Sequence, residues 1–506
     1  MENADITAPI TKGWRFWAIF PALCLTSMLA AVESTVTSTA LPYIVHELAA
    51  GDMYVWFVNA YFLTSASILP VIGQLADIFG RRWVVVGVVA IFTLGSGISG
   101  IGGGGINLLI EVVVSDLVPL RERGNYMALI FAVFCLGTAI GPFVGGSKFI
   151  NPLLRLPTAC YSLFLRIRYD RTTSLVSRLQ RIDYGGTAIL VASVTSILIA
   201  LSWGGARYSW SSWHVVIPLI LGAVGLVLYH YYETARWVEH PTLPEGIFVK
   251  RTAAAGLLMA FFSFILMYWG LYFLPVYFQA VLGATTTMSG VWLLPPVLVE
   301  VPFSVIGGII LSKTGRYKPL HLIAFAFMTL GHTPKAEWVI AQMIPAVGIG
   351  FMMSTNLSSV QADLSEKDVA SATAAFTFMR SHGAIWGVSM PAAVFNASFA
   401  AESYRITNAS VRQSLGGGRA YSFVTAALVN SFAPETREQV IDVFTQALRT
   451  VWLVSIAFAA VGLLLVCMEK EIVLRTDLET EFGLEDEKKH VDTEAGDDGH
   501  RQSHLG

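Results

Sequence analysis

The chain has 506 residues, of which 54% are hydrophobic and 13% charged, with a formal net charge of -2; ordinary soluble domains carry roughly 25% charged side chains. A water-soluble fold is excluded on that count, because 17 of the 68 charged groups sit in the last 38 residues and only 51 are left for the other 468. Cys24, Cys135, Cys160 and Cys467 all lie in apolar runs without ligand spacing, which excludes a disulfide framework and a zinc centre. After a polar stretch, 1–15, the first apolar run, 16–31, is too deep in the chain for a cleaved leader and reads as a membrane span. Further runs follow at 55–75, 83–100, 101–118, 126–145, a weak 153–165, 184–203, 214–232, 253–274, 291–311, 320–330, 338–355, 370–395 and 447–468. Membrane helices take roughly 20 residues, and these runs predict an all-α polytopic membrane protein of about fourteen spans.

Cationic loops stay on the side of insertion. Arg81 and Arg82, Arg121 and Arg123, the cluster Arg166 to Arg181, Lys250 and Arg251, and Lys313, Arg316 and Lys318 fall in alternate loops, while the intervening ones hold only Lys148, Arg155, Arg207 and Lys335. Both termini are expected to be cytoplasmic, with a long external loop, 396–445. That loop carries two sequons that make Asn396 and Asn408 candidate glycosylation sites. The expected organisation is a first helical bundle 16–182, two additional spans 183–233, a second bundle 234–468, and an acidic tail 469–506, poor in aromatics and expected to be disordered. Three stretches strain the count. Two crossings must share 83–118, Pro152, Pro157, Lys148 and Arg155 spoil 147–165, and 320–330 is only 11 residues long; each suggests that a short coding stretch is missing.

The densest motif is Gly73-Gln74-Leu75-Ala76-Asp77-Ile78-Phe79-Gly80-Arg81-Arg82, between the second and third spans. Gly73 and Gly80 allow a tight reversal, Asp77 can cap a helix or pair with an arginine, and Arg81 and Arg82 suit anionic headgroups. A degenerate copy, Gly308 to Lys318, repeats glycine, glycine and arginine at the same spacing, 235 residues further on. Gly137-Thr138-Ala139-Ile140-Gly141-Pro142-Phe143-Val144-Gly145-Gly146 lies in the fifth span, where Gly137, Gly141, Gly145 and Gly146 permit close helix approach and Pro142 bends the axis. Glu33-Ser34-Thr35-Val36-Thr37-Ser38-Thr39-Ala40-Leu41-Pro42 closes the first span; an acid in a span is a functional candidate, here for carrying a proton.

The 73–82 string resembles the loop signature of the major facilitator superfamily, and the repeat matches its two homologous bundles with substrate held between them near the midplane. The fifth-span glycines are similar to that superfamily's antiporter signature, though a packing face uses the same residues. The Glu33 stretch resembles the fourteen-span drug:proton antiporter branch, with Glu where Asp is commoner. Trp56, Asn59, Tyr61, Arg121-Glu122-Arg123-Gly124 and Asp183-Tyr184-Gly185-Gly186 extend the likeness, as does Tyr272 to Gln279. The resemblance implies two six-helix bundles plus two extra helices, and a pump that exports hydrophobic toxins, drugs or secondary metabolites in exchange for protons. Tyr61, Tyr268, Trp269, Tyr272, Tyr277 and Arg380 are its candidate cavity residues, the rival for the aromatics being an interfacial belt. Glu111 and Glu300 are further intramembrane acids, and Glu300 has no counterpart expected from the family. No phosphate-binding loop, catalytic constellation, cofactor, metal or nucleic-acid partner is indicated. The expected partners are a hydrophobic small molecule, protons and lipid, and the expected form is a monomer in the cell membrane or the vacuolar membrane. Competing readings are uptake of a siderophore-iron chelate and a transport-inactive variant. The latter rests on a departure: no arginine precedes Gly102 to Gly105, where the family carries one.

Overall fold

The computed structural model describes residues 17–32, isolated positions from 60 to 79, 81–94, 99–144, 183–204, 207–235, 245–331, 338–364, 368–418, 420–421 and 426–475. Twelve long helices carry the description: α1 Trp17–Val32, α2 Arg81–Leu94, α3 Ser99–Leu117, α4 Arg123–Val144, α5 Tyr184–Trp203 and α6 Trp213–Glu233. They continue with α7 Arg251–Val276, α8 Leu294–Thr314, α9 Lys318–Gly331, α10 Trp338–Gln361, α11 Val369–Glu402 and α12 Pro434–Met468. Among the described residues the β-structure is one bridge, Gly204 to Tyr208. The protein is an all-helical, multi-pass membrane protein, since in lipid a helix satisfies every backbone group within its own segment.

Seven described helices are long and apolar enough to cross a membrane. The strained region 83–118 does form two helices, α2 and α3, and α2 has 14 residues. At about 1.5 Å per residue α2 reaches about 21 Å, short of a hydrocarbon core of about 30 Å. Helix α9, also 14 residues, has the same deficit. The weak span 153–165, the first bundle's end to residue 182 and the amino-terminal tail 1–15 lie outside the described residues.

Two expected boundaries are corrected. The external loop predicted over 396–445 is largely helical at both ends, because α11 runs on to Glu402 and α12 begins at Pro434. Hydropathy registers only the lipid-embedded part of a helix. Here Pro434 at the first helical position and Glu435 in the first turn start α12 in a polar stretch, and buried Val440, Val443 and Phe444 hold it to the core. The second correction concerns the tail, whose first residues, Glu469 to Arg475, lie against the protein; Glu469 is 1% exposed.

Local signals place several helix ends. Asp183 caps α5 by accepting a hydrogen bond from the Gly186 amide at 2.8 Å, and the Tyr232 hydroxyl donates to the same carboxylate oxygen at 3.2 Å. Losing an N-cap costs about 1 kcal/mol, so Asp183→Ala should lower the thermal unfolding temperature of purified protein modestly. Gly315, at φ 69°, stops α8 in the left-handed conformation and lets α9 start three residues later. The degenerate repeat at 308–318 forms a tight reversal between α8 and α9.

Helices α5 and α6 form a hairpin, close enough that a Cβ on Gly222 would meet the Ser193 carbonyl at 2.6 Å. The other side of α6 exposes Ile217, Ile220, Leu221, Val224, Val227 and Leu228, a lipid-facing row. One hydrophobic core joins α1, α2 and α3; others join α7 to α11 and α12 and α9 to α10. The two halves meet where α4 packs on α8 and α10, and α3 on α11.

Candidate transport site

Between the halves lies a cavity of about 550 Å³, within the range of small-molecule sites. Phe134, Cys135 and Thr138 of α4 form one wall; the facing walls come from α7, α8, α10 and α12. The lining is mainly apolar, from Leu266 and Leu271 on α7 to Ile349 on α10 and Trp452 on α12. Its polar lining residues include Glu300 on α8, Gln342 on α10 and Arg449 on α12. A smaller cavity of about 90 Å³ adjoins it, sharing Phe134, Met267 and Tyr268, and reaches Glu111, Thr377 and Arg380.

Glu111 on α3 and Arg380 on α11 form an ion pair across the two halves, and the Thr377 hydroxyl donates to the other oxygen of the same carboxylate. Glu111 is 3% exposed. The Arg380 guanidinium lies 4.4 Å from the Phe264 ring centroid, a cation–π contact that supports a charge removed from water. Gly383 and Gly387 hold α11 so close to α7 that a Cβ on either would meet the carbonyl of Phe261 or Ile265 within 2.6 Å.

At the end where the cationic loops collect, the halves are clamped together. Arg123 is 1% exposed. It donates to the Val118 and Ser115 carbonyls at 2.8 and 2.6 Å and to Gln361 Oε1 at 2.6 Å. Gln361 in turn donates to Ser115 and Thr373 hydroxyl oxygens. Arg121 donates to the Ser312 and Lys313 carbonyls, both at 2.7 Å, where the negative end of the α8 dipole favours a cation. Between these contacts α4 and α8 touch at glycines, with Cα of Gly308 3.4 Å from where a Cβ on Gly124 would stand. The segment after α12 straps the same end. Glu469 and Thr355 bracket His321, whose Nδ1 is 3.0 Å from the Glu469 carboxylate and whose Nε2 is 3.0 Å from Thr355 Oγ1. Tyr317 donates to the Lys470 carbonyl at 2.5 Å; burial pushes its phenol above the usual range, which keeps it a neutral donor. The Arg121 amide donates to the Arg475 carbonyl, while the Arg475 guanidinium donates to the Leu364 carbonyl.

The sequence candidates divide. Tyr268, Tyr277 and Arg380 line the cavities. Trp269 does not, being fully buried against Phe458 in the second half, and Tyr272 is 4% exposed in the same core, its carbonyl accepting from the Tyr421 hydroxyl. On a helix apolar all round, adjacent residues point about 100° apart, and only packing selects which one faces the cavity. Trp269→Ala should accordingly cost about 3–5 kcal/mol of stability, read as an earlier thermal unfolding midpoint with unchanged cargo affinity in the protein that survives. Gly137 packs on α1, where a Cβ would meet the Met28 carbonyl at 2.6 Å. Gly141 and Pro142 continue α4. Asn408 is exposed and caps the helix Ala409–Leu415, whereas Asn396 is 7% exposed inside α11. Arg81 and Arg82 begin α2. Glu33, Tyr61, Gly73, Asp77, Gly80, Gly145 and Gly146 lie outside the described residues. Gln342, Thr377, Gln361 and His321 went unnoticed in the sequence, since a polar residue in a span has no partner until the helices are assembled.

Residues 23–151 match the model of the Major Facilitator Superfamily. An MFS-type transporter, ucsD, of Acremonium sp is 42% identical, over 94% of this chain and 88% of its own. An MFS efflux transporter, aclA, of Aspergillus oryzae is 40% identical over 96% of this chain and 94% of its own, and the efflux pump FUS6 of Gibberella fujikuroi is 38% identical over 97% and 95%. Among solved structures, a bacterial homologue of the human lysosomal transporter Spinster, inward-facing and unoccupied, superposes with a TM-score of 0.51 at 14% identity, covering 90% of this chain and 98% of that one.

Proposed function

The chain belongs to the major facilitator superfamily and is a membrane transporter, not an enzyme, and we propose that it exports apolar small molecules from the cytosol in exchange for protons. The observation that carries this reading is an apolar cavity between two halves that are clamped at their cation-rich end, which the positive-inside rule assigns to the cytosol. A carrier held in that state offers its cavity to the opposite side. Parting of the clamp would expose the same site to the cytosol, so that one cavity serves both faces in turn. The names of the relatives, efflux transporter and efflux pump, support the direction.

Glu33 is the proposed proton-carrying acid, taking a proton from the outer side and biasing the return. The Glu111–Arg380 pair holds α3 to α11 during the movement. Monomeric function in the cell membrane, with the vacuolar membrane as the other site, belongs to the same proposal. Cells lacking their own pumps and expressing this protein should retain less Nile red than empty cells, and a protonophore should abolish the difference. Greater retention than the empty cells would reverse the direction, and insensitivity to the protonophore would remove the proton. Glu33→Gln should leave cargo binding intact and stop uphill export.

A further inference from the structure

The segment after α12, Glu469 to Arg475, has no helical or strand structure of its own, yet Glu469 is 1% and Leu474 2% exposed. Fixing the backbone of one residue costs about 1–2 kcal/mol, so a stretch without its own hydrogen-bond ladder keeps one path only where the rest of the protein holds it. The holding contacts are unequally shared between the halves. The second half supplies most of them. The Thr252 hydroxyl oxygen accepts from the Lys470 amide, and the Lys318 ammonium donates to the Glu469 carbonyl at 2.6 Å. The Tyr317 oxygen accepts from the Ile472 amide at 3.0 Å while its hydrogen goes to the Lys470 carbonyl, and the Arg475 guanidinium reaches the Leu364 carbonyl at 2.7 Å. Arg316 and Glu471 pair at 3.5 Å, an exposed contact of small worth. Among the described residues, the first half meets the segment at the turn between α3 and α4. There the Arg121 amide donates to the Arg475 carbonyl at 3.2 Å, and Leu120, 1% exposed, shares one hydrophobic core with Leu474, Leu311, Tyr317 and Leu320.

This asymmetry dictates how the segment moves. Bound through α7, α9 and the end of α10, it travels with the second half when the halves part, whereas Leu120 and Arg121 travel with the first. We propose that Glu469 to Arg475 is a latch, a hook carried by the second half that catches the α3–α4 turn, holds the cytoplasmic end shut, and must let go before cargo enters from the cytosol. Burial of Leu120 with Leu474 stabilises the clamped state alone, because parting the halves takes that core apart and returns apolar surface to water. The contacts to Tyr317, Lys318 and His321 are the mounting of the hook and persist in both states. The proposal rests on the alternating reading of the cavity and adds an element outside the membrane helices that sets how often the cytosolic side opens.

Full-length protein tests it, in a background where the four cysteines are removed and transport is retained. With Ser115→Cys as the reporter, buried in the Arg123–Gln361 network, Leu474→Ser should raise the rate of reaction with a membrane-impermeant maleimide from the cytoplasmic side about fivefold or more. Leu474→Met, which keeps the apolar volume, should stay within about twofold of the parent. A segment that only braced the second half would lower the unfolding temperature and leave the reaction rate unchanged, and that result overturns the proposal. A second arm locks the latch. Val473→Cys, at an exposed position, and Glu122→Cys, at a half-buried one, are joined by a short bifunctional thiosulfonate reagent. The linked protein should lose Nile red transport, in whichever direction it runs, and regain it on reduction. Linking Val473→Cys to Arg316→Cys, both on the second half, should spare transport. Transport that continues in protein fully linked between 473 and 122 contradicts the latch even if the Leu474 variants fail to fold, and so does loss of transport from the 473–316 link. Neither arm depends on direction, so Nile red retained above the empty-cell level would reject export and leave the latch standing.

Discussion

Arg380→Ala should unfold this protein at a markedly lower temperature and abolish transport. Glu111 is buried on α3 and its charge is balanced by Arg380 from α11, with Thr377 donating to the second oxygen. Removing one partner of a buried pair costs about 3–5 kcal/mol, because the survivor keeps its desolvation penalty and loses its compensation. The survivor here is an acid at the contact between halves, so the loss falls on the joint as well as on the fold. Removing both charges is the diagnostic variant. Arg380→Ala combined with Glu111→Gln should regain a good part of the stability, leaving a coupling energy of about 0.5–3 kcal/mol in the double-mutant cycle, yet remain defective in transport. Arg380→Lys should recover little, since an ammonium replaces neither the planar stack on Phe264 nor the paired geometry. Additive stabilities in the cycle would show that the two side chains do not act together.

Gly124→Val should trap the carrier with its cytoplasmic end open. A Cβ at 124 would stand 2.9 Å from the Ser354 carbonyl oxygen, 3.1 Å from Leu311 and 3.4 Å from Cα of Gly308. Two of those neighbours are backbone and cannot rotate aside, and valine adds two methyl groups to the same gap. Overpacking costs typically about 1–3 kcal/mol, and here it is charged to one state only, the clamped one. At the upper end of that range the clamped population falls by about a hundredfold. Transport should drop at least tenfold while the thermal stability of the protein changes little, since the unclamped state is unaffected. A cysteine placed at Ser115, buried in the Arg123–Gln361 network, should then react with a membrane-impermeant maleimide from the cytoplasmic side faster in the Gly124→Val background than in the wild-type one. Equal reaction rates would mean that the glycine contact does not govern closure.

Much of the architecture was readable before the helices were assembled, because lipid imposes long apolar runs and cationic turns on any chain that crosses it. The repeat at 308–318 was visible as a spacing of glycine, glycine and arginine, while the left-handed turn at Gly315 was seen only in the structure. Two crossings within 83–118 were expected from the alternation of cationic loops; the stretch forms two helices, α2 and α3, of which α2 is short of a full span. The misread boundaries share one cause. Hydropathy is blind where a membrane helix leaves the bilayer, so α11 and α12 were each cut short, and His321 holding Glu469 could not be foreseen from residues 148 apart. The site was less legible for the same reason. Tyr268 faces the cavity and Trp269 the core, though both stand on a helix whose every face is apolar. Glu111 and Arg380 each stood out as a charge in a span, but that they pair with each other, 269 positions apart, is a property of the packed halves alone.

The Arg121, Arg123 and Gly124 clamp should open and close as one cavity changes sides. Spin labels at cysteines replacing Glu122 and Lys313, on either side of that clamp, measure it directly in a background where Cys24, Cys135, Cys160 and Cys467 are removed and transport is retained. Two distances in exchange are expected, a short one for the clamped state and a longer one for the open state, with their proportions shifting when cargo or pH is changed. A single short distance under every condition, in protein that still transports Nile red, would contradict it.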